Sequence, residues 1–539
     1  MAEELAFARK ASGLVRGLSM LDAFAVGFMN QGLTPSIWTT ITLGMSVFLG
    51  ANLIWATIIS AVLAGIGFPL VWGILGGSMP RSGGEYIYNS RIIHPIVGIA
   101  QSFGDAAIWL MWIYVLAPLT IDPGLTSTFQ FAGWAKGANW LESANWHTFL
   151  IASVINVIAF LFVVFGIKIF AICQKAVMFF GIGGATVIAL VLSLRSHHVL
   201  VNNWNALALK YHSLSYGDFV HSVSAAAGTA MPTGTNFRAT IGVMVAMSWL
   251  FAYAYSISFI AGEVKRPDKT IIWSNMFAIV VPMIFMLWTA IGLYHVVGQQ
   301  FLAAGAWNDQ NGPVAGYALP WSSHFFGLAA IAMGTSGWFV KLVNVIMGLS
   351  FVAFALWFVT LSYLAFPRIL FAWGMDRMGP KWFTDVNPRF ASPVKNHVLC
   401  FGLGEALILL NTFWFSNKMQ NVTVSGLQIT SVFAITALAA VLFPYMKRCR
   451  GIWDSSPYKK WSFLGLPVVV WGGLVNLFYL GILMYGFIGL KATDTLTKFG
   501  LILMVAVWVV GVGWYYYWKS RSKSVGVDVS MTYGELPPD

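Results

Sequence analysis

Gly27-Phe28-Met29-Asn30-Gln31-Gly32-Leu33-Thr34-Pro35-Ser36 sits in the middle of the first long apolar segment of the chain. A membrane-spanning helix rarely carries such a run. Adjacent amides, then Gly32, Thr34 and Pro35, place polar side chains and freed backbone groups at membrane depth, where unsatisfied groups are costly. Two arrangements meet that cost. One is a Pro-kinked helix whose polar groups bond to neighbouring helices. The other is a discontinuous helix whose half-helix ends and loose carbonyls bind a substrate or an ion. The remainder of the chain has to choose between them.

Composition places the segment in a membrane protein. The 539 residues are 58% apolar, 16% aromatic and only 9% charged, against about 25% charge in soluble domains. The apolar segment after Leu18 is too long for a signal-peptide core and lacks a small-residue cleavage site, so it reads as a retained first span. Three scattered cysteines, Cys173, Cys400 and Cys449, make neither a disulfide framework nor a metal-ligand spacing. Seven of the nine histidines (His147, His197, His198, His212, His221, His295 and His324) fall in loops of one side, without the i, i+4 spacing of a helix-borne metal pair. No metal or cofactor is expected beyond a coupling H+ or Na+. The net charge of +12 sits in short loops rather than in a basic, aromatic-interleaved stretch, so no nucleic-acid partner is expected.

Windows of about 20 apolar residues predict an all-α polytopic membrane protein of 12 transmembrane helices. These begin near residues 20, 51, 96, 147, 170, 239, 271, 338, 396, 422, 462 and 497. Most of the 31 lysines and arginines then fall on one side, in clusters such as Arg9-Lys10-Arg16, Lys265-Arg266-Lys269, Arg377-Lys381-Arg389-Lys395 and Lys447-Arg448-Arg450. Positive flanks stay in the cytoplasm, so both termini are expected there, in a multi-pass plasma-membrane protein. The resulting divisions are a cytoplasmic N-terminus (1–19), a first block of five helices (20–194), an extracellular loop (195–238), a second block of five (239–446), a cytoplasmic loop (447–461), two further helices (462–518) and a cytoplasmic tail (519–539) that reads as disordered after residue 523.

Three stretches on the basic side carry a more specific signal. Met79-Pro80-Arg81-Ser82-Gly83-Gly84-Glu85-Tyr86 follows the second span, and Ala261-Gly262-Glu263-Val264-Lys265-Arg266-Pro267 follows the sixth. After the eighth comes Pro367-Arg368-Ile369-Leu370-Phe371-Ala372-Trp373-Gly374-Met375-Asp376-Arg377-Met378-Gly379-Pro380. In order and spacing they resemble the signatures of the amino acid-polyamine-organocation (APC) superfamily permeases. The resemblance implies a five-plus-five inverted-repeat (LeuT-like) core, with helices 1 and 6 discontinuous at the midplane and substrate held between their breaks. Physically, Gly83 and Gly84 permit a tight turn, while Arg81 with Glu85, and Glu263 with Lys265, offer opposite charges at the membrane boundary. Together with Arg368 and Asp376, these charges either fix loop geometry or pair when the inner gate closes.

On that reading Met29, Asn30, Gln31, Gly32 and Thr34 line the site from helix 1. Family members usually carry a glycine-rich G-x-G break in helix 1, where this chain has Asn30-Gln31-Gly32-Leu33-Thr34-Pro35, and an aromatic-Ala-aromatic-x-Gly pattern in helix 6, where this chain has Trp249-Leu250-Phe251-Ala252-Tyr253 or, two residues on, Phe251-Ala252-Tyr253-Ala254-Tyr255, in either register without the glycine. Trp249, Phe251, Tyr253 and Tyr255 are therefore the candidates there, either as binding groups or as packing. The lysine that replaces sodium in some proton-coupled members falls on Gly181. Coupling candidates are the carboxylates Asp105 and Glu405, placed inside spans where charge is expensive, and the hydroxyls Thr360 and Ser362, which suit a sodium ion or bond back to their own helix. Asp105 either titrates, binds the amino group of a cationic substrate, or bonds to Ser102 or a neighbouring helix.

The chain lacks HEXXH, GxSxG and GxxxxGK[ST] patterns, which argues against an intramembrane hydrolase and an ATP-driven pump. The expected function is secondary transport of a small molecule, an amino acid or related amine, across the bilayer by symport or exchange. A polyamine or organocation antiporter and a non-transporting nutrient receptor are the alternatives, and nothing in the sequence sets an oligomeric state.

Overall fold

The computed structural model describes residues 16–319, 325–334, 336–415, 418–491, 498–529, 531–534 and 536. Arg9, Lys10 and His324 lie outside the described residues. The helices that cross the molecule or shape its centre are, in chain order, α1 (Met20–Asn30), α2 (Leu33–Trp38), α3 (Leu53–Phe68), α4 (Glu85–Ile92), α5 (Pro95–Leu119), α6 (Asn145–Val164) and α7 (Ile167–Leu194). They continue with α8 (Phe237–Phe251), α9 (Pro267–Val296), α10 (Trp338–Met375), α11 (Val394–Leu410), α12 (Lys418–Leu442), α13 (Val468–Met484) and α14 (Lys498–Ser524).

Among the described residues, 11 helical stretches are long and apolar enough to cross a membrane, beginning within a few residues of the expected starts from 51 onward. The segment expected at residue 20 is not one continuous span. Its α1 opens on a capping box, in which the Ser19 Oγ accepts from the Asp22 amide and the Asp22 carboxylate accepts from the Ser19 amide. It ends at Asn30, and Gly32 at φ +49° turns the chain into α2, which runs on into a π-helical stretch, Thr39–Gly44.

The sixth segment is interrupted as well, without a glycine. Asn236 caps α8 by accepting from the amides of Arg238 and Ala239. The α-helix stops at Phe251, and after Ala252 the chain winds as a 3₁₀ helix over Tyr253–Glu263. Runs of that length are uncommon, because i to i+3 bonding is geometrically poorer and such stretches mark hinges or strain.

The two interrupted segments lie against each other. The Ser256 Oγ donates to the Val26 carbonyl, and the Leu18 backbone forms a parallel bridge with Val264. The long α5 and α10 pack together beside them. The loops on the side opposite this bridge are not irregular. They fold as surface helices, including His197–Tyr211, Tyr216–Ala227 and Gln299–Asn311, around a small core of Trp204, Phe219 and Phe301.

At the other end, the expected disordered tail is partly ordered. α14 extends to Ser524, beyond the boundary set at 518, Val529 is buried, and Tyr533 is buried against Tyr86 and Arg91 of α4. The Tyr533 ring lies over the Arg91 guanidinium, a contact that composition alone does not reveal.

Candidate functional site

The interruptions of the first and sixth segments are joined by one hydrogen bond. Where α8 gives way to the 3₁₀ run the backbone repeat changes, and the Tyr253 carbonyl accepts from Asn30 Nδ2 at 2.8 Å. Gly32 is required on two counts. Its φ lies in the left-handed region, and a Cβ there would stand 1.9 Å from Phe358 of α10. Phe358 packs at a tilt on Trp112 of α5 with ring centroids 4.8 Å apart, and Trp112 meets Tyr253 at 4.6 Å and Trp249 at 5.0 Å. Asn30, Tyr253, Trp112, Phe358 and Gly32 thus close a circuit around the two breaks.

Several polar atoms on this circuit are buried without a protein hydrogen-bond partner: Asn30 Oδ1, both amide atoms of Gln31, Thr34 Oγ1, Trp112 Nε1 and the Tyr253 hydroxyl. Each such atom costs about 1–3 kcal/mol unless something polar meets it. Donors and acceptors bounded by aromatic faces suit a small ligand with a polar head and an apolar or cationic remainder.

Sequence reasoning placed Met29, Asn30, Gln31, Gly32 and Thr34 at the break, and all five are buried there. Trp249, Tyr253 and Tyr255 join the aromatic cluster, whereas Phe251, though buried, is not among the rings packed on Trp112. Trp109, Trp112, Phe358 and Phe433 were missed. Trp109 and Trp112 follow Asp105 at i+4 and i+7, so one helical face carries all three, and that spacing was readable.

Asp105 is buried and does not bond to Ser102. The Ser102 hydroxyl donates to the Ile99 carbonyl and accepts from Trp373. Asp105 Oδ1 instead accepts from the Tyr255 hydroxyl at 3.1 Å. Beside it is Glu85, which is not a boundary charge facing Arg81. It is fully buried, accepts from Trp72 Nε1 at 3.0 Å, and its carboxyl interacts directly with that of Asp105. Glu85 opens α4 from the Gly83–Gly84 turn, where Gly84 at φ +61° lets the chain double back under Phe259. Burial, and then the Asp105 carboxyl, push the Glu85 group well above the ordinary glutamate range, although its own amide and Trp72 act the other way.

The other candidates are used differently. Glu405 is half-buried on α11, accepting from Ser153 at 2.8 Å and from Asn156 at 3.0 Å, both on α6. The Thr360 hydroxyl donates to Leu356 of its own helix, while Ser362 Oγ is buried without a protein partner. Gly181 has no room for a long side chain. Its carbonyl accepts from Ser350, and a Cβ would stand 2.8 Å from Phe354.

On the basic face Glu263 and Asp376 pair across elements and not with the charges of their own loops, whereas Asp454 pairs locally with Arg450 and Lys459. Glu263 bonds to Arg368 at 2.7 and 3.1 Å instead of to Lys265, which is exposed and offers its amide to the Leu18 carbonyl. Asp376 is gripped by Arg91, absent from the expected set, through two bonds of 2.6 Å with both side chains fully buried. Asp22 meets Lys175 of α7 at 2.7 Å. These pairs tie separate elements together on the basic face. On the opposite face, about six residues or ~9 Å of helix beyond Gly32, Trp38 and Thr42 line an outer pocket of about 400 Å³ whose wall includes Asp122, Glu142 and Asp309.

Eleven apolar helical stretches long enough to cross a membrane among the described residues, with two interrupted segments packed at the centre, mark a polytopic membrane protein. Comparison with known proteins agrees: the profile of the amino acid permease family matches residues 18–511, and the chain belongs to that family. An uncharacterized amino-acid permease of Schizosaccharomyces pombe is similar, 29% identical over 164 residues. That match covers 30% of this chain and 28% of the relative's length.

Proposed function

We propose that this protein is a secondary-active permease that carries amino acids or related amines across the plasma membrane by alternating access. The observation that carries the reading is the junction of Asn30 with the Tyr253 carbonyl, where two interrupted helices meet amid buried polar atoms that lack partners. An amino acid supplies what those atoms need: an ammonium for Asn30 Oδ1 and the Gln31 carbonyl, a carboxylate for the Gln31 and Trp112 N–H groups, and a side chain for the rings of Trp112, Trp249 and Phe358. Residues 20–194 and 239–446 form the two inverted halves, each opening with an interrupted helix. The basic face is cytoplasmic, and both termini lie there.

The closed ion pairs Glu263–Arg368 and Arg91–Asp376 then describe an inward-closed state, with the pocket by Trp38 as the outer approach. Transport requires these pairs to part while the outer pocket closes. Exchange of polyamines or other organic cations is a second reading. It is favoured by the aromatic faces at the junction and by carboxyls in the outer pocket, both of which attract cations.

Purified full-length protein in proteoliposomes, offered labelled amino acids and amines with pH gradients, sodium gradients or internal counter-substrate, tests this. Saturable uptake of an amino acid is expected. Binding without flux identifies a receptor instead, and movement of polyamines alone selects the second reading.

A further inference from the structure

The carboxyl pair beneath the site is not explained by ligand binding alone. Glu85 comes from the start of α4 and Asp105 from α5, and among the described residues no lysine or arginine forms an ion pair with either. Instead, Trp72 donates to Glu85 and Tyr255 donates to Asp105. The rings of those two donors meet edge to face with centroids 6.4 Å apart, which brings the carboxyls together independently. Glu85 Oε2 is buried and receives no hydrogen bond from any donor group of the protein, so its contact with Asp105 sets one acceptor against another. Two carboxylates in a dry interior cannot both be ionised, and a proton between them resolves the contact. Gln101, one turn before Asp105 on the same helical face, is fully buried with neither amide atom bonded to protein, a second polar group with capacity for a transient water or proton relay.

We propose that Glu85 and Asp105 form a single proton-binding site that takes up one proton from one side of the membrane and releases it to the other in each transport cycle, with Tyr255 linking it to the substrate site. The inference rests on the permease reading above and names its driving ion. The pair alternates between one shared proton, with one negative charge, and two protons, with none. No bond other than O–H is made or broken. Tyr255 lies two residues after Tyr253 on the 3₁₀ run, so a substrate that draws on the Tyr253 and Asn30 groups shifts the hydroxyl that stabilises the ionised Asp105. Withdrawal of that hydroxyl favours uptake of the second proton, and its return favours release.

The groups facing the pair are consistent with a proton and not with a metal cation. Tyr88 approaches from α4, Trp109 from α5, Tyr255 from the 3₁₀ run, Trp72 from the Pro69–Gly73 stretch and the apolar Phe433 from α12. The nearby arginines of the basic face are committed to other acids, Arg91 to Asp376 and Arg368 to Glu263.

The test uses full-length protein in proteoliposomes with whichever labelled L-amino acid is taken up. At one proton per substrate, a pH gradient of about one unit, acid on the side of entry, supports about tenfold accumulation over the no-gradient level. Wild-type protein should approach that ratio. Glu85→Gln and Asp105→Asn should each fall to a ratio near one, while Asp454→Asn, an exposed acid paired with Arg450 and Lys459, retains the wild-type ratio. Infrared difference spectra of the purified protein without substrate, between alkaline and acid pH, give a second readout. The carboxylic-acid carbonyl band that appears on acidification should be lost in both variants and shift its midpoint in Tyr255→Phe. Retained gradient-driven accumulation in either pair variant, or a band that neither variant alters, overturns the proposal. If the band behaves as expected but no amino acid moves, the proton site stands and the substrate reading falls.

Discussion

At the scale of single residues, the break in the first segment depends on groups with opposite duties. Asn30 spends its amide N–H on the Tyr253 carbonyl, whereas Gln31 is equally buried and spends nothing on the protein. Asn30→Ala should therefore destabilise the protein by about 1–3 kcal/mol by stranding a buried carbonyl. Gln31→Ala should leave the thermal midpoint near the wild-type value or raise it, while raising the substrate concentration for half-maximal uptake by about tenfold. Thermal unfolding in detergent and uptake curves separate the two; equal effects on stability would make Gln31 a packing residue. Gly32→Ala adds strain at a positive φ to a clash with Phe358, a combined penalty of about 2–6 kcal/mol, and should reduce the folded yield sharply. Of these residues the sequence showed the polar break itself, because amides beside Gly and Pro are anomalous in an apolar run. It did not show which amide was committed, since Tyr253 is distant in the chain.

At the scale of elements, the interruption of the sixth segment was expected on resemblance and doubted on composition, since no glycine stands there. The chain achieves it by a change of helix type, with α8 ending at Phe251 and the 3₁₀ run holding Tyr253 to Glu263. A helix-type change leaves no residue signature, because Tyr, Ala, Ser and Ile occur in both kinds. The same limit applies to the ion pairs. Glu263 with Arg368 bridges the end of the 3₁₀ run to α10, and this pair is nearly dry. Removing one partner of a buried pair costs about 3–5 kcal/mol. If the pair closes the inner gate, Glu263→Gln should favour the opposite state, so that a thiol at Ser362→Cys, buried above Arg368, is labelled from the basic face several times faster than in the otherwise unaltered protein. Unchanged labelling would reduce the pair to a structural tie.

At the scale of the whole molecule, the tail and the carboxyl pair connect distant parts. Tyr533 is buried with its hydroxyl 3.1 Å from that of Tyr86, and its ring lies 5.1 Å from the Arg91 guanidinium. Tyr86 in turn donates to Asp376 at 2.7 Å, so the tail covers the buried pair that joins α4 to the end of α10. Tyr533→Ala should lower stability by about 2–4 kcal/mol, as expected for loss of a buried aromatic ring and its hydrogen bond, with a lower thermal midpoint in full-length protein. The Glu85 carboxyl also sets a pH dependence. Unfolded, it releases its proton near the ordinary value of 4.5, but folded it holds the proton well above that. Between those limits the native state binds more protons, so stability falls as pH rises through the window. Thermal midpoints measured upward from pH 5 should decline in the wild type and decline less in Glu85→Gln.

By itself the sequence determined the class of molecule, the positions of its apolar segments, the anomalous break at Asn30 to Pro35 and the three loop signatures. Those properties are local: hydropathy, helix-breaking residues and short spacings act over a few turns. Only the tertiary structure decided that Asn30 answers Tyr253, that Glu85 turns inward to meet Asp105 instead of standing at the boundary with Arg81, that Arg91 rather than a loop neighbour holds Asp376, and that Tyr533 returns to cover them. Each of these is a contact between residues tens to hundreds of positions apart, set by how helices pack in a low-dielectric interior. There, a charge or amide takes whatever partner the fold brings within about 3 Å.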